Sequence, residues 1–376
     1  MPFSPEEFEK VRGHSCDTEL NYILLAASSI FEPVNLREHA PRFETLDPVR
    51  LFELARLNKM LNFLPANVAD LPRACAALAP AINEMRLRTL ALNRRGLLAG
   101  AEISTALNKA GIAHLHFKGP LQQVALYGTY LQKPSADVDI LVPRSQRSHA
   151  AQCVMDAGYV QLDSAHAIWW AHFLDEMHFI NHKTGVVIDL HHGVQQPGLP
   201  RPLDLPGLFD RRSEMIYEDL AFETPCPVDR SLLAAISISK AMLSHEPALS
   251  LIVDLRATLT HLREADLADL LIAARNNGLE QTLGLAVRAL DATFPDFDRP
   301  DLPLPMPLSE IEGPTLRPMI ATPWLDALPW PRRRRLLREL CGNAPLRFIQ
   351  ESTRSLMSEV LRKSLEYRTA RKRATL

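Results

Sequence analysis

Apolar residues recur at three- and four-residue spacing over the first part of the chain, which is the pattern of helices that bury one face. In the middle of the chain this spacing gives way to short β-branched or aromatic runs, and it then returns. The pattern predicts an α/β (α+β) fold, in which a compact core with a mixed sheet is flanked by N- and C-terminal helical regions. We divide the chain into an N-terminal helical region (1–95), the core (96–220), a second helical region (221–294), a proline-rich wrap or linker (295–331) and basic C-terminal helices (332–376).

Two predicted helices of the N-terminal part carry signals at their ends. The segment SPEEFEKVRGH (4–14) begins with Ser4 in a capping position and has acidic residues in its first turn. A long helix beginning near residue 82 is predicted to end at Gly111, in the position of a C-cap glycine.

Short strands and helices alternate in the core. A helix over PLQQVALYG (120–128) with Pro120 at its first position and a helix over 144–158 separate the early strands. The turn KTG (183–185) joins the last two strands as a hairpin. The predicted strands are IAHLHF (112–117), DVDILV (137–142), EMHFINH (176–182) and VVIDLHH (186–192).

The C-terminal part is unusual in composition. Residues 295–331 contain ten prolines, which predict neither a regular helix nor a central strand but an extended wrap over the surface or a linker. From Pro331 onward 13 Lys and Arg face 4 Glu, a local charge of +9. Such a tail is either a solvated amphipathic helix pair or a docking surface for an acidic partner or nucleic acid.

Composition indicates an ordinary globular protein. The 376 residues are 47% hydrophobic, and the formal charge of −2 gives no reason to expect nucleic acid or an anionic membrane as a partner. The five cysteines are widely spaced without a CxxC, so neither a disulfide framework nor a zinc knuckle is expected. The acidic N-terminus does not have the pattern of a signal peptide, and no apolar stretch is long enough for a membrane span. We therefore expect a cytoplasmic protein.

Three carboxylates fall on predicted strands of the core. Asp137 and Asp139 are two residues apart at the start of one strand, so their side chains share a face, and Asp189 lies on a later strand. Carboxylates grouped in this way suit hard divalent cations such as Mg²⁺. Upstream, Lys118 and Gly119 form a turn into a helix, and free N–H groups at a helix N-terminus favour an anion. The combination points to phosphoryl or nucleotidyl transfer.

These residues also carry a family resemblance. The run LNKAGIAHLHFKGPLQQVALYGTYLQKPSADVDILVP, followed about fifty residues later by VVIDLHHG, resembles largely uncharacterised bacterial nucleotidyltransferases of the DNA polymerase β-like superfamily. The resemblance covers about 96–195. The matching positions are Lys118, Gly119, Tyr127, Pro134, Asp137, Asp139, Asp189 and His191.

The resemblance implies a nucleotidyltransferase that moves a nucleoside monophosphate from an NTP, expected to be ATP, to a hydroxyl-type acceptor with release of diphosphate. The acceptor would be a small molecule, a peptide or a protein. Asp137 and Asp139 would ligate two Mg²⁺ or Mn²⁺ ions, and Asp189 would bind the catalytic metal and help to deprotonate the acceptor. His191 would orient Asp189 by a hydrogen bond, without binding the metal itself.

The same resemblance assigns the phosphate-binding groups. Gly119 and the helix that it opens would receive the β- and γ-phosphates, while Lys118 and Lys133 would neutralise the departing diphosphate. Two positions depart from the family pattern. Pro120 follows Gly119 where relatives have glycine or serine, so one backbone donor is missing. Lys133 replaces the usual arginine, which keeps the charge without the bidentate geometry.

Two alternatives remain open at the level of sequence. One is a catalytically inactive module that keeps the fold and binds the nucleotide. The other is a metallohydrolase that uses histidines and carboxylates, since histidines crowd one region: His166, His172, His178, His182, His191 and His192.

Overall fold

The computed structural model describes residues 16–32, 34–162, 167–326 and 328–374. The helix predicted over 4–14 and His166 lie outside the described residues. Within them the strands are β1 (Leu115–His116), β2 (Asp137–Leu141), β3 (Val160–Gln161), β4 (Glu176–Ile180), β5 (Val187–His191), β6 (Ser213–Tyr217) and β7 (Leu220–Thr224).

Helices account for most of the remaining elements, and a π-helical turn over Trp170–Leu174 leads into β4. No helix among the described residues is both long enough and apolar enough to span a bilayer. The α-helices are α1 (Asp17–Ser28), α2 (Leu36–His39), α3 (Pro48–Leu57), α4 (Ala79–Lys109), α5 (Gly119–Tyr127), α6 (Arg147–Asp156), α7 (Ala167–Trp169), α8 (Gly207–Asp210), α9 (Pro227–Ser244), α10 (Leu249–Thr260), α11 (Glu264–Asn276), α12 (Glu280–Thr293), α13 (Gly313–Ala321), α14 (Arg333–Cys341) and α15 (Pro345–Ala374).

The sheet is mixed, as predicted, and its five strands lie in the order β1-β2-β5-β4-β3, of which β3 was not predicted. β2 and β5 are parallel, and the other three pairs are antiparallel. The first strand is shorter than its predicted span of 112–117, because only Leu115 and His116 pair with β2. The β6–β7 hairpin was not predicted, since its turn uses Glu218 and Asp219 at positive φ instead of the usual Asn-Gly signal.

Helix α4 lies close against the sheet because it carries two glycines on its inner face. A Cβ atom at Gly100 would come within 3.1 Å of the His116 ring, and one at Gly96 would come within 3.5 Å of Val138. The helix is followed by Gly111 with a φ of +67°, as predicted for its end. The two glycines therefore set the distance between α4 and the strand that carries the paired aspartates.

Two buried amides hold the loop that leads into β2. Asn93 of α4 accepts a hydrogen bond from the Ser135 backbone N–H at 2.8 Å and donates one to the Lys133 carbonyl at 2.8 Å. Gln123 of α5 bonds both the N–H and the carbonyl of Lys133, each at 2.8 Å. Because these amides have no solvent alternative, they fix the backbone just before Asp137.

The helical regions on either side of the sheet pack into one body. Buried apolar residues from α1, α3 and the start of α4 form a single hydrophobic cluster with residues of α9, α10, α12, α13 and α14. A smaller cluster fills the space between the sheet, α4 and α6. The N- and C-terminal helical regions are thus a common wall beside the sheet.

The proline-rich region is more regular than predicted. Residues 313–321 form helix α13, which tolerates Pro314 in its first turn and contains Pro318 in its interior. Leu316, Met319 and Ile320 are buried in the large helical cluster. Burial of this apolar face offsets the missing proline donor, so the prediction that no regular helix forms here was wrong.

Candidate active site

The parallel pairing of β2 and β5 brings two of the predicted carboxylates side by side. Asp139 lies directly opposite Asp189, and His191 shares the face of Asp189 because strand side chains alternate. One ligand atom from each of Asp139, Asp189 and His191 lies within 4.8 Å of the others. Two carboxylates suit Mg²⁺ or Mn²⁺, and an imidazole nitrogen also suits transition metals, so this donor set fits a divalent cation.

Asp137 lies on the same face as Asp139 but outside that group of three. Burial and the charges of Asp139 and Asp189 raise the pKa of Asp137 to about 6, against the opposing effect of Lys118. Two like charges at this spacing are costly without a cation between them. The structure therefore places Asp137 beside the site, and its role as a metal ligand stays a prediction.

Strand β4 contributes two groups that the sequence did not single out for this site. His178 Nδ1 lies 2.6 Å from Asp189 Oδ1, and His191 Nε2 lies 2.8 Å from Asp139 Oδ1. Glu176 lies between the two rings, at 3.4 Å from His178 Nε2 and 3.7 Å from His191 Nδ1. His191 thus orients Asp139 rather than Asp189, whose imidazole partner is His178. The antiparallel β4–β5 register, which places His178 opposite Asp189, could have revealed this pair.

Carboxylates and basic groups lie next to each other across this site, and they shift one another's pKa values. Burial would raise the pKa of Asp139, but Lys118 and the hydrogen bond from His191 hold that pKa below its ordinary value. Burial would likewise lower the pKa of His178, but hydrogen bonds to Asp189 and Glu176 raise it to about 10. His178 is therefore a cation at neutral pH, fixed against Asp189.

The predicted phosphate turn lies at the edge of the same group. Lys118 Nζ is 3.4 Å from Asp139 Oδ1 and stands over the Phe117 ring, 4.8 Å from its centre. Gly119 begins α5 with a φ of +73°, a conformation that favours glycine. The turn and the carboxylates are therefore adjacent, as the sequence predicted.

Lys133 is engaged elsewhere. Its ammonium group pairs with Asp254 of α10, and the Tyr127 hydroxyl donates to the same carboxylate at 2.6 Å. The side chains of Lys133 and Asp254 are only 13% and 4% exposed. This pairing favours a structural role for Lys133, and its contact with phosphate stays a prediction.

A second lysine near the site was missed by sequence reasoning. Lys240 of α9 makes no hydrogen bond or ion pair with any described residue. Burial and the Lys118 charge lower the pKa of Lys240 to about 7, although Glu176 and Asp139 act in the opposite direction. Lys240 lies within an apolar helix and carries no motif, so only the fold reveals its position.

The histidines considered for a hydrolase do not form one cluster. His192 lies near Asp175 at 3.5 Å, and His172 lines a groove beside α15. Of the described histidines in that set, only His178 and His191 contact the carboxylate group.

No curated protein matches the chain. A family described as uncharacterised nucleotidyltransferases matches residues 44–295, which is more than half of the chain and extends past the sheet into the helices on both sides. The chain therefore belongs to this family of uncharacterised nucleotidyltransferases.

Proposed function

We propose that the protein transfers a nucleoside monophosphate from an NTP to a hydroxyl-type acceptor and releases diphosphate. Family membership supports nucleotidyl transfer in general. The observation that carries the finer proposal is the pairing of Asp139 with Asp189, with Lys118 3.4 Å from Asp139 at the turn into α5. Carboxylates beside a cationic helix N-terminus suit a metal-bound triphosphate.

Asp139 and Asp189, with Asp137 beside them, are the residues that would hold Mg²⁺ or Mn²⁺. One or two such ions would neutralise the triphosphate and lower the pKa of the acceptor hydroxyl. His191 and His178 each contact one oxygen of these carboxylates, so the second oxygen of each would be available to a cation. The histidines thus fix the direction of the acids before anything binds.

Asp189 is the group that we assign to accept the proton of the acceptor hydroxyl. This carboxylate would take the hydroxyl proton as the acceptor oxygen attacks the α-phosphorus. His178 stays protonated against Asp189, because the pKa of its imidazole is raised to about 10.

Two lysines would balance the charge of the leaving group. Lys118 lies at the phosphate turn, and Lys240 is a partly buried lysine that no described residue pairs with and whose charge environment includes Lys118 and Asp139. A departing diphosphate would supply the anion that Lys240 lacks and would raise its pKa back toward the ordinary value. Pro120 removes one backbone donor from this turn, so side-chain cations carry more of the phosphate contact.

The Pro120 departure also supports one alternative, a protein that binds the nucleotide without turning it over. The acceptor class expected for turnover is a small molecule, a peptide or a protein, and ATP is the expected donor. The flanking helices, which form the wall beside the sheet, would select the acceptor.

The test combines metal binding with group transfer. Purified protein is incubated with each α-labelled NTP, Mg²⁺ or Mn²⁺, and a metabolite and peptide extract, while diphosphate release and labelled products are measured. Mn²⁺ binding is followed separately by electron paramagnetic resonance. Asp139→Asn and Asp189→Asn are compared with Asp210→Asn, an exposed aspartate at the end of α8.

Wild type and Asp210→Asn should release diphosphate and bind Mn²⁺. Asp189→Asn should lose about 10²–10⁴-fold or more in turnover, since it removes both a proton acceptor and a ligand. Asp139→Asn should lose both turnover and Mn²⁺ binding. NTP binding that survives both substitutions, without diphosphate release by wild type, would favour the inactive module. Lys240→Met should bind NTP more weakly than wild type while Mn²⁺ binding without NTP is unchanged.

A further inference from the structure

The last long helix, α15, packs against the rest of the protein through a polar face, unlike an ordinary surface helix. Its inner face is polar: Glu351 is 3% exposed and pairs with Arg201 at 2.7 Å. Arg354 donates to the Phe173 carbonyl at 2.5 Å and pairs with Asp175 at 3.3 Å. A surface helix normally directs its apolar face inward and its charges to solvent.

The opposite face of α15 is apolar and exposed. It consists of large side chains that are more than half exposed, and none of them belongs to a hydrophobic cluster of the described residues. They are Leu346 (76%), Ile349 (58%), Leu356 (66%), Met357 (58%), Val360 (62%) and Tyr367 (69%). We call these six side chains the outer stripe. A contiguous apolar patch of this kind marks an interaction site.

The spacing of the outer stripe is that of a helix-pairing seam. Positions 346, 353, 360 and 367 repeat every seven residues, and positions 349, 356 and 363 form the second register of the same heptad. Only Thr353 and Lys363 interrupt the apolar series. Five of these seven positions carry large apolar or aromatic side chains, and a seven-residue repeat of this kind fits another helix rather than a flat surface.

A groove runs beside the outer stripe. It has a volume of about 470 Å³ and is lined by Phe173, Ile349 and Met357 together with the polar residues His172, Arg201, Gln350, Thr353 and Arg354. Side chains from a partner helix could enter it in the manner of knobs in holes.

Among the side chains of α15 that the structure describes, the charges next to the outer stripe do not favour an anionic membrane. Arg362 is bound to Glu359 and Glu366, and Lys363 lies 3.4 Å from Glu359. The arginines at 347 and 354 point to the inner face, where carbonyl groups hold them. An interfacial helix instead presents free Lys and Arg along the border of its apolar face.

The size of the outer stripe suits a dimer. Six large side chains at their observed exposures offer on the order of 700 Å² per copy, close to the ~800 Å² per partner of a stable interface. An identical stripe on a second chain supplies the matching heptad, and a two-fold arrangement closes without leaving a free face. We propose that two copies of this chain pair through the outer stripes of their α15 helices.

The experiment is sedimentation velocity on the full chain over a wide range of concentrations, with and without salt. Leu356→Glu/Val360→Glu places two charges in each outer stripe. The matched control, Leu87→Glu/Ile272→Glu, changes two exposed apolar residues of α4 and α11 in the same way. Circular dichroism and thermal melting confirm that each variant is folded.

Wild type and the control should sediment as dimers, and the dissociation constant of the stripe variant should rise at least ~100-fold, because its charges would be buried on pairing. A monomeric wild type at all concentrations would overturn the proposal, as would a dimer that the stripe variant leaves unchanged. Flotation with phosphatidylserine vesicles tests the competing assignment: a monomer that floats only with an intact outer stripe would make the stripe a membrane contact.

Discussion

At the scale of single residues, the two aspartates at the start of β2 differ in their electrostatic surroundings although they share a face. Asp139 receives a hydrogen bond from His191 and faces Lys118, whereas Asp137 faces mainly other carboxylates. Their protonation therefore affects stability in opposite directions. Without a bound cation, the surroundings stabilise the charge of Asp139 but not that of Asp137.

We expect Asp137→Asn to stabilise the metal-free protein at pH 7 by roughly 1–3 kcal/mol, and Asp139→Asn to destabilise it. The pKa of Asp137 rises from 3.8 to about 6 on folding, so the contribution of this residue to stability falls as the pH rises from about 4 to 6 and stays low above that. The pKa of Asp139 is lowered on folding, so its contribution is present at neutral pH and is lost as the pH falls below 4.

Urea unfolding of both variants in EDTA between pH 4 and pH 8 measures this difference. The Asp137→Asn curve should lose the fall between pH 4 and pH 6. Equal destabilisation by the two substitutions would contradict the electrostatic asymmetry, and Asp210→Asn controls for a general effect of removing one negative charge.

At the scale of elements, a buried trio ties α10 to the loop before β2. Asp254 accepts from Tyr127 at 2.6 Å and pairs with Lys133, whose backbone is held by Asn93 and Gln123. Removing one member leaves the other charge buried and unpaired, which costs far more than the pair contributes.

Asp254→Leu and Lys133→Met should each destabilise the protein by about 3–5 kcal/mol, while the double variant should be much less destabilised than their sum. Unfolding of the two single variants and the double variant gives the coupling energy. Additive losses would mean that Lys133 is free to turn toward a ligand, which would restore its predicted phosphate role.

The elements also show what the sequence could predict. The strand aspartates, the glycine turn and the mixed sheet follow from local signals: alternation, a C-cap glycine and apolar strand runs. The partners of Asp189 and Lys133 do not, because they depend on strand register and on contacts such as Lys133 to Asp254, 121 residues away. Lys240 and the β6–β7 hairpin lacked any local signal, and α13 formed because tertiary burial outweighed its prolines.

At the scale of the whole molecule, α15 links the C-terminus to the wall of the site. Arg354 pairs with Asp175, the residue immediately before Glu176 of β4, and its charge also acts on Lys240. The N-terminal half of the helix therefore supports β4, the strand that carries His178, the partner of Asp189.

Removing residues 345–376 should destabilise the protein and weaken NTP binding, because the buried Asp175 would lose Arg354 and keep only the more exposed Arg144, at 3.6 Å, as a guanidinium partner. Removing only 368–376 should change neither property, since the contacts of Glu351 and Arg354 remain. Thermal melting and calorimetry with Mg²⁺·NTP compare the two truncations. An equal effect of both would show that the terminal basic residues, rather than Arg354, support the site.

The pairing of Asp175 with Arg354 joins residues that are 179 positions apart, and it has a consequence for the order in which the protein matures. Synthesis runs from the N-terminus, so the carboxylate strands leave the ribosome long before the helix that braces them. A nascent chain can form the sheet with Arg144 and His192 already beside Asp175, but the contact with Arg354 has to wait until α15 has been synthesised. The support that α15 gives to the site is thus added after the sheet and its carboxylates have formed.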